Sequence, residues 1–191
     1  MIQTLEYWDR ELFLKINACH NSFFDSLMWI ISNDFFIYPF VALGLFLLFK
    51  KSSGNKVATI ILGIGLCVAC ADLSANFVKH TVKRYRPTHN LEIQKQIHTV
   101  NNYKGGQYGF FSSHASNTFS IVTLFYLTFG TLWRKKTRLA FYLLPLLIVY
   151  SRIYLGVHYP TDIIAGSLIV ILFGWLIHKA LLIYFFKKQE A

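Results

Sequence analysis

The stretch VATIILGIGLCVACADLSANFVKHTVKRYRP, Val57 to Pro87, decides how this chain reads. Its first part, Val57–Val78, is an almost unbroken apolar run with one carboxylate, Asp72. A hydrocarbon core takes roughly 20 helical residues to cross, so the run is long enough for a membrane span. Its second part turns abruptly basic, with Lys79, Lys83, Arg84 and Arg86 crowded where a helix end needs only one or two cations. A span that stops on such a cluster implies negative charge opposite it.

The rest of the chain agrees with a membrane setting. Of 191 residues 54% are hydrophobic and only 15% charged, and the mean hydropathy is +0.43. Soluble domains carry about a quarter of their residues as charges. Further apolar stretches are Phe35–Phe49, Asn117–Trp133, Leu139–Tyr150 and Ile163–Phe186. Leu139–Tyr150 is short and is expected to extend toward Tyr154. Phe23–Ile31 is too brief to span alone and fits an interfacial or re-entrant piece. Before it, Leu5, Trp8, Leu12, Phe13 and Ile16 fall at helical spacing among Glu6, Asp9, Arg10 and Glu11, the pattern of an amphipathic helix over residues 1–20 lying on the bilayer. The expectation is an all-α, polytopic membrane helical bundle of five to six transmembrane helices plus that N-terminal amphipathic helix. It forms one domain, 1–191, with a catalytic core over 57–186. The N-terminus has no signal-peptide pattern. Cys19, Cys67 and Cys70 make no disulfide framework, and Cys67 and Cys70 fall mid-span as small packing residues.

Charge distribution sets the orientation. One face receives the short basic connections Lys50/Lys51/Lys56, Arg134/Lys135/Lys136/Arg138 and Lys187/Lys188, as expected of cytoplasmic loops. The other receives Lys79–Phe110 and the Ser151–Asp162 turn. The long segment there is also basic, against the usual bias, so something on that face requires cations.

Three clusters fall on that face: Lys79 with Arg86-Pro87; Ser112, Ser113 and His114 in FFSSHASN; and Arg152, His158 and Asp162 in SRIYLGVHYPTD. Lys79, Arg86 and Arg152 supply three cations for a tetrahedral dianion, the arginines as planar forks. Ser112 has the character of an N-cap, and the amides after it, with the helix dipole, would face the same anion. His114 and His158 together suit a nucleophile and general-acid pair, with either in either role. Asp162, four residues after His158, can fix that ring's tautomer.

The spacing Lys79-x6-Arg86-Pro87, then Ser112-Ser113-His114, then Ser151-Arg152-x5-His158-x3-Asp162 resembles the three-part signature of the type 2 phosphatidic acid phosphatase family, over about Val57 to Phe186. The second motif departs from it, Phe111-Ser112-Ser113-His114 standing where the family has Pro-Ser-Gly-His. The resemblance implies that His158 attacks phosphorus to form a phosphohistidine, that Asp162 orients it, and that His114 protonates the leaving oxygen and later activates water. It implies that Lys79, Arg86, Ser112, Ser113 and Arg152 bind the phosphate. Fixed cations can supply the charge stabilisation of phosphoryl transfer, so no metal and no cofactor is expected.

Taken singly, each residue has a plainer reading. Lys79 and Arg152 end apolar runs, where long cations snorkel. The serines can simply cap a helix, and His158-Tyr159-Pro160 can simply turn the chain. His80, His89 and His98 match no motif and are expected in the solvated loop. Asp72 is either functional or hydrogen-bonded to a neighbouring span. Three spaced motifs on one face favour the joint reading. The expected partners are a lipid phosphate substrate and the bilayer, with no nucleic acid. The expected setting is a bacterial inner membrane, multi-pass, with the site on the periplasmic side. Undecaprenyl diphosphate and lipid A phosphates come first as substrates, phosphatidylglycerophosphate and phosphatidic acid next. A vanadate-dependent haloperoxidase-like enzyme and a non-catalytic lipid-binding or transport protein are the alternatives.

Overall fold

The computed structural model describes residues 2–50, 53–129 and 141–183. They form seven α-helices: α1 (Ile2–Ala18), α2 (Ser22–Ile31), α3 (Tyr38–Phe49), α4 (Gly54–Val82), α5 (Ser113–Phe129), α6 (Leu143–Tyr154) and α7 (Pro160–Leu181). Among the described residues the only strand-like pairing is an isolated antiparallel bridge, Tyr85 with Tyr108. The all-α expectation holds.

By length and composition α4 and α7 can each cross a membrane, and α2 with α3 makes a third span if the bent pair is counted as one. That pair is bent by 69°. The bend follows from Ser32-Asn33-Asp34, where Asn33 caps a short 3-10 turn by accepting from the Phe35 amide. Phe23–Ile31 is therefore a helix running into this break. The remainder of the Asn117–Trp133 and Ile163–Phe186 runs, the first residues of Leu139–Tyr150, Lys51, and the basic groups at 134–138 and 187–188 lie outside the described residues.

Helix α5 occupies the centre, packed on α7, α4 and α6. Lipid tails are as apolar as the side chains, so association in a bilayer relies on close packing of small residues. Buried Ser116, Ser120 and Thr123 of α5 meet Gly166 and Gly174 of α7. A Cβ at Gly174 would sit 2.9 Å from the Ser120 carbonyl oxygen and from Thr123 Cβ, so nothing larger than hydrogen fits. Cys67 is a buried packing residue as expected, its thiol beside the Ser120 carbonyl.

The α1 segment is helical, and it docks differently from a purely apolar face. Its buried stripe is Asp9, Phe13 and Asn17, at i, i+4 and i+8, while Leu5, Trp8 and Leu12 stay outward. Phe13 meets Tyr159 edge-on at 5.5 Å. Asn17 donates to the Tyr154 and His98 carbonyls and accepts from the His98 amide. His98 is thus not a free loop residue. Its Nε2 lies 2.8 Å from Asp25 Oδ1, and its ring stacks on His20 at 3.6 Å. These contacts pin the 83–112 loop to α1 and α2.

Candidate active site

Five element ends meet on one side of the bundle: the C-terminus of α4, the N-terminus of α5, the C-terminus of α6, the N-terminus of α7 and the α2–α3 break. The loop from Lys83 to Ser112 lies over them. Lys83 ends α4 in the left-handed region (φ 51°) and is exposed. The chain then runs extended, with the Arg86 amide donating to the Gln107 carbonyl and the Gly109 amide to the Arg84 carbonyl. In extended backbone residues i and i+2 share a face, which turns Arg84 and Arg86 inward together and Tyr85 out. The basic crowding beyond α4 therefore divides into one helix-end cation and two interior ones.

The two interior arginines serve different partners. Arg84 Nη1 donates to Asp162 Oδ1 at 2.6 Å and to Thr161 Oγ1 at 2.8 Å, while Nη2 donates to Asp9 Oδ2 at 2.6 Å. Its guanidinium also lies over the Tyr159 ring at 4.2 Å. Burial opposes the charge on Arg84, and the two carboxylates outweigh it and raise its pKa. Arg86 is held by one bond from Nε to the Tyr108 carbonyl at 3.2 Å, and its buried Nη1 has no partner among the described residues. Close backbone makes this placement possible. Gly105 has φ +65°, and a Cβ there would come within 2.4 Å of Arg86 Nη1. Arg152 is similar, donating from Nη1 to the Ser32 carbonyl and hydroxyl and from Nη2 to the Tyr103 hydroxyl, with buried Nε unpartnered among the described residues.

His158 is buried, its Nδ1 3.4 Å from Asp162 Oδ2, and its ring also hydrogen-bonds with the Gly109 backbone. Asp162 Oδ2 accepts from the Tyr159 amide as well, which ties the carboxylate to the first turn of α7. Burial, then the charges of Arg86, Arg152 and Lys79, push the His158 pKa well below its usual 6.5. The neutral imidazole is thus favoured over the imidazolium. Burial, followed by repulsion from Arg152, also lowers the Arg86 pKa. Like charges gathered this way, with buried donors unpaired, are the complement of an anion.

His114 sits in the first turn of α5, within the fields of Arg152, His158 and Arg86. Asp34 Oδ1 comes within 2.8 Å of its Nε2 without hydrogen-bond alignment. Lys79 donates to Ser113 Oγ at 2.5 Å. Ser112 is the N-cap. Its Oγ accepts from the Ala115 amide at 3.4 Å, and its own N–H donates to the Asp162 carbonyl at 3.2 Å. Both groups of Ser112 thus face protein partners, whereas Ser113 stands beside Lys79. All eight residues singled out from sequence are at this one end of the bundle.

Sequence reasoning missed Arg84 and Asp9 as site-building residues, along with Ser32, Asp34 and Tyr103. The i, i+2 relation of Arg84 to Arg86 was an available signal. Asp9 was visible only as an acid among the polar positions of α1. Among the described residues no group of three or more His, Cys, Asp or Glu is placed to hold a metal ion.

A cavity of about 540 Å³ opens beside Ser113 and His114 and is bounded also by Asp72, Asn117, Tyr38 and Val68. It shares Ile37 and Ile121 with an apolar cleft of about 390 Å³ between α3, α5 and α6, which Phe40, Val41, Gly44 and Val122 line.

The PAP2 superfamily matches residues 56–185. This chain belongs to the PAP2 superfamily. A lipid A 4'-phosphatase of Porphyromonas gingivalis is 34% identical over 182 residues, 91% of this chain and 73% of that one. A lipid A 4'-phosphatase of Bacteroides thetaiotaomicron is 31% identical over 180 residues, 93% and 79% of the two chains. The crystal structure of Aquifex aeolicus LpxE superposes with a TM-score of 0.66 at 26% identity, covering 88% of this chain and 93% of that one. A transmembrane PAP2-type phosphatidylglycerolphosphate phosphatase of Bacillus subtilis shares the fold, with a TM-score of 0.67 at 18% identity over 91% and 84% of the chains. The protein is therefore a phosphatase, a phosphoric ester hydrolase, and a multi-pass integral membrane PAP2 lipid phosphatase.

Proposed function

We propose that this PAP2 phosphatase hydrolyses a phosphate ester of a lipid A-type glycolipid through a phosphohistidine at His158. In this reading Lys79, Arg86, Ser113 and Arg152 hold the phosphoryl oxygens. His158 Nε2 attacks phosphorus, the bond to the leaving oxygen breaks, and His114 gives that oxygen its proton. A water, giving its proton to His114, then attacks phosphorus; the phosphorus–nitrogen bond breaks, its electron pair returns to Nε2, and inorganic phosphate leaves. Asp162 keeps the proton on Nδ1 so that Nε2 presents its lone pair. The cations stabilise the charge of a loose phosphoryl transition state, a task of positioning and electrostatics.

The observation carrying this reading is the pair of buried, unpartnered donors, Arg86 Nη1 and Arg152 Nε, whose charges reach a neutral His158. The two lipid A phosphatases that align over most of the chain support the glycolipid, ahead of the polyprenyl diphosphate that the sequence left level with it. The apolar cleft beyond the site suits acyl chains. The proposed setting is the bacterial inner membrane with the site facing the periplasm, where basic residues run against the usual loop bias.

The test is phosphate release in detergent from lipid A, undecaprenyl diphosphate, phosphatidylglycerophosphate and phosphatidic acid, with acid-labile phosphoenzyme trapped in parallel. Lipid A is expected to have the highest kcat/KM, and His158→Ala to form no phosphoenzyme. A preference for another lipid overturns the substrate, and phosphoenzyme in His158→Ala overturns the mechanism.

A further inference from the structure

Asp72 is the one carboxylate of the apolar α4 run, and nothing in the phosphate chemistry uses it. It faces α5, where Asn117 Nδ2 donates to its Oδ1 at 3.0 Å. Asn117 Oδ1 has no partner among the described residues. A carboxylate is an acceptor only, and it accepts here from a single side chain among the described residues. Both residues bound the 540 Å³ cavity that begins at Ser113 and His114. At 1.5 Å per residue, Asn117 lies roughly 6 Å below Ser113 along α5, and Asp72 roughly 10 Å below Lys79 along α4. Beyond them the cavity passes into the apolar cleft through Ile37 and Ile121. The order away from the phosphate is cations, acceptors, then hydrocarbon.

We propose that Asp72 and Asn117 form a substrate subsite that accepts a hydrogen bond from a hydroxyl or amide N–H of the lipid, one sugar ring's reach from the phosphate. The inference rests on the glycolipid reading above and deepens it. An acylated glucosamine phosphate carries such donors at that distance, whereas an undecaprenyl chain carries none and the glycerol of phosphatidic acid has its other two hydroxyls acylated; among the glycerolipids of the panel only phosphatidylglycerophosphate keeps a free hydroxyl, on its headgroup. A polyprenyl lipid in this cavity would leave the carboxylate without its donor. A site built to bond an OH or NH rejects analogues lacking it, because its polar groups are then stranded.

Lys79 also feels the charge of Asp72, so the rival role is a counter-charge for the anion site. The experiment separates the two by comparing catalysis on lipid A with competitive inhibition by orthovanadate, which fills the phosphate pocket and reaches no further. In Asp72→Asn, kcat/KM for lipid A should fall roughly 10- to 100-fold, the range of a bond to a charged group. The vanadate inhibition constant should hold or tighten. Asn117→Ala, which keeps the carboxylate and removes its orienting donor, should shift the same two readings in the same direction by less. A misfolded fraction would also lower turnover with the vanadate constant unchanged, so kcat/KM for lipid A is taken as a ratio to that for an aryl phosphate, which reaches no further than the phosphate pocket and cancels the active fraction. An ester-linked analogue lacking the amide N–H identifies the donor. If its deficit in wild type disappears in Asp72→Asn, the donor is the amide, and if both lipids lose equally it is a hydroxyl. Vanadate binding that weakens in step with lipid A turnover overturns the subsite, as does lipid A turnover untouched by Asp72→Asn. Wild-type protein releasing no phosphate from lipid A instead refutes the function reading itself.

Discussion

Replacing Asp9 with Asn, in a helix that bears none of the signature residues, should slow catalysis. Asp9 has a side chain only 2% exposed and accepts from Arg84 Nη2, the Thr161 amide and the Thr161 hydroxyl. Arg84 in turn holds Asp162 Oδ1, and Asp162 Oδ2 faces His158. An asparagine of the same shape keeps one acceptor for Thr161 and turns an NH2 toward the guanidinium, so the charge and the 2.6 Å bond are both lost. Breaking one side of a buried ion pair costs about 3–5 kcal/mol in full, and a single bond to a charged group about 1.5–3 kcal/mol. Arg84 keeps Asp162 and is 18% exposed, which places the loss at the lower range. If the displaced guanidinium passes about 1.4–2.7 kcal/mol to the alignment of Asp162 and His158, kcat falls roughly 10- to 100-fold. KM should move by less than about threefold, because the phosphate-holding groups are untouched. The assay is steady-state phosphate release beside thermal unfolding in detergent. Asn17→Ala is the control. It removes three hydrogen bonds from the same helix, so it should lower the unfolding midpoint while sparing kcat. An Asp9→Asn enzyme with wild-type kcat, or an Asn17→Ala enzyme equally slowed, refutes the positioning role.

Other outcomes follow from the same geometry. Activity should survive chelation by EDTA, and loss restored by magnesium would show that the cations of the chain are insufficient. His114→Ala should cost roughly 10²–10⁴-fold on an alkyl phosphate and clearly less on an aryl phosphate, whose phenolate needs little protonation; equal losses would remove His114 from the acid role. Because buried His158 stays neutral while the unfolded ring takes a proton below about pH 6.5, the unfolded state binds more protons, and stability should decline as pH falls from about 7 to 5. His158→Gln should flatten that slope in detergent melts, and an unchanged slope would locate the proton uptake elsewhere. A cysteine at Asn101, in a background lacking Cys19, Cys67 and Cys70, should react with an impermeant reagent on intact cells while one at Thr137 does not; the reverse pattern inverts the proposed orientation.

The helical membrane class and the meeting of three motifs were legible because each depends on local signals, apolar run length and residue spacing. The division of labour between Arg84 and Arg86 was less so, since it depends on the loop beyond α4 being extended and pinned at Tyr85 and Tyr108. The α2–α3 break was unreadable as a wall of the site, because nothing in Ser32-Asn33-Asp34 announces that Arg152 and His114 come to it from 120 and 80 residues away. His98 looked like a solvated loop residue for the same reason, its partners Asp25, His20 and Asn17 being remote in sequence. Asp72 was left between two readings, and the bond to Asn117 needed the α4–α5 register to be found.

The docking of α1 has a consequence for the order in which the enzyme is assembled. Asp9 leaves the ribosome well before its partners Arg84 and Thr161, which lie 75 and 152 positions later. Until α7 is made, Asp9 has no Thr161 to bind and Arg84 has no Asp162. Helix α1 must therefore wait at the membrane until α7 is inserted, and His158, the proposed nucleophile, is braced only when α1 and α7 close on each other. Contacts this distant in sequence form late. Half-inserted chains would hold the cations without the aligned histidine, so in the proposed mechanism the hydrolytic step is withheld until α7 is in place.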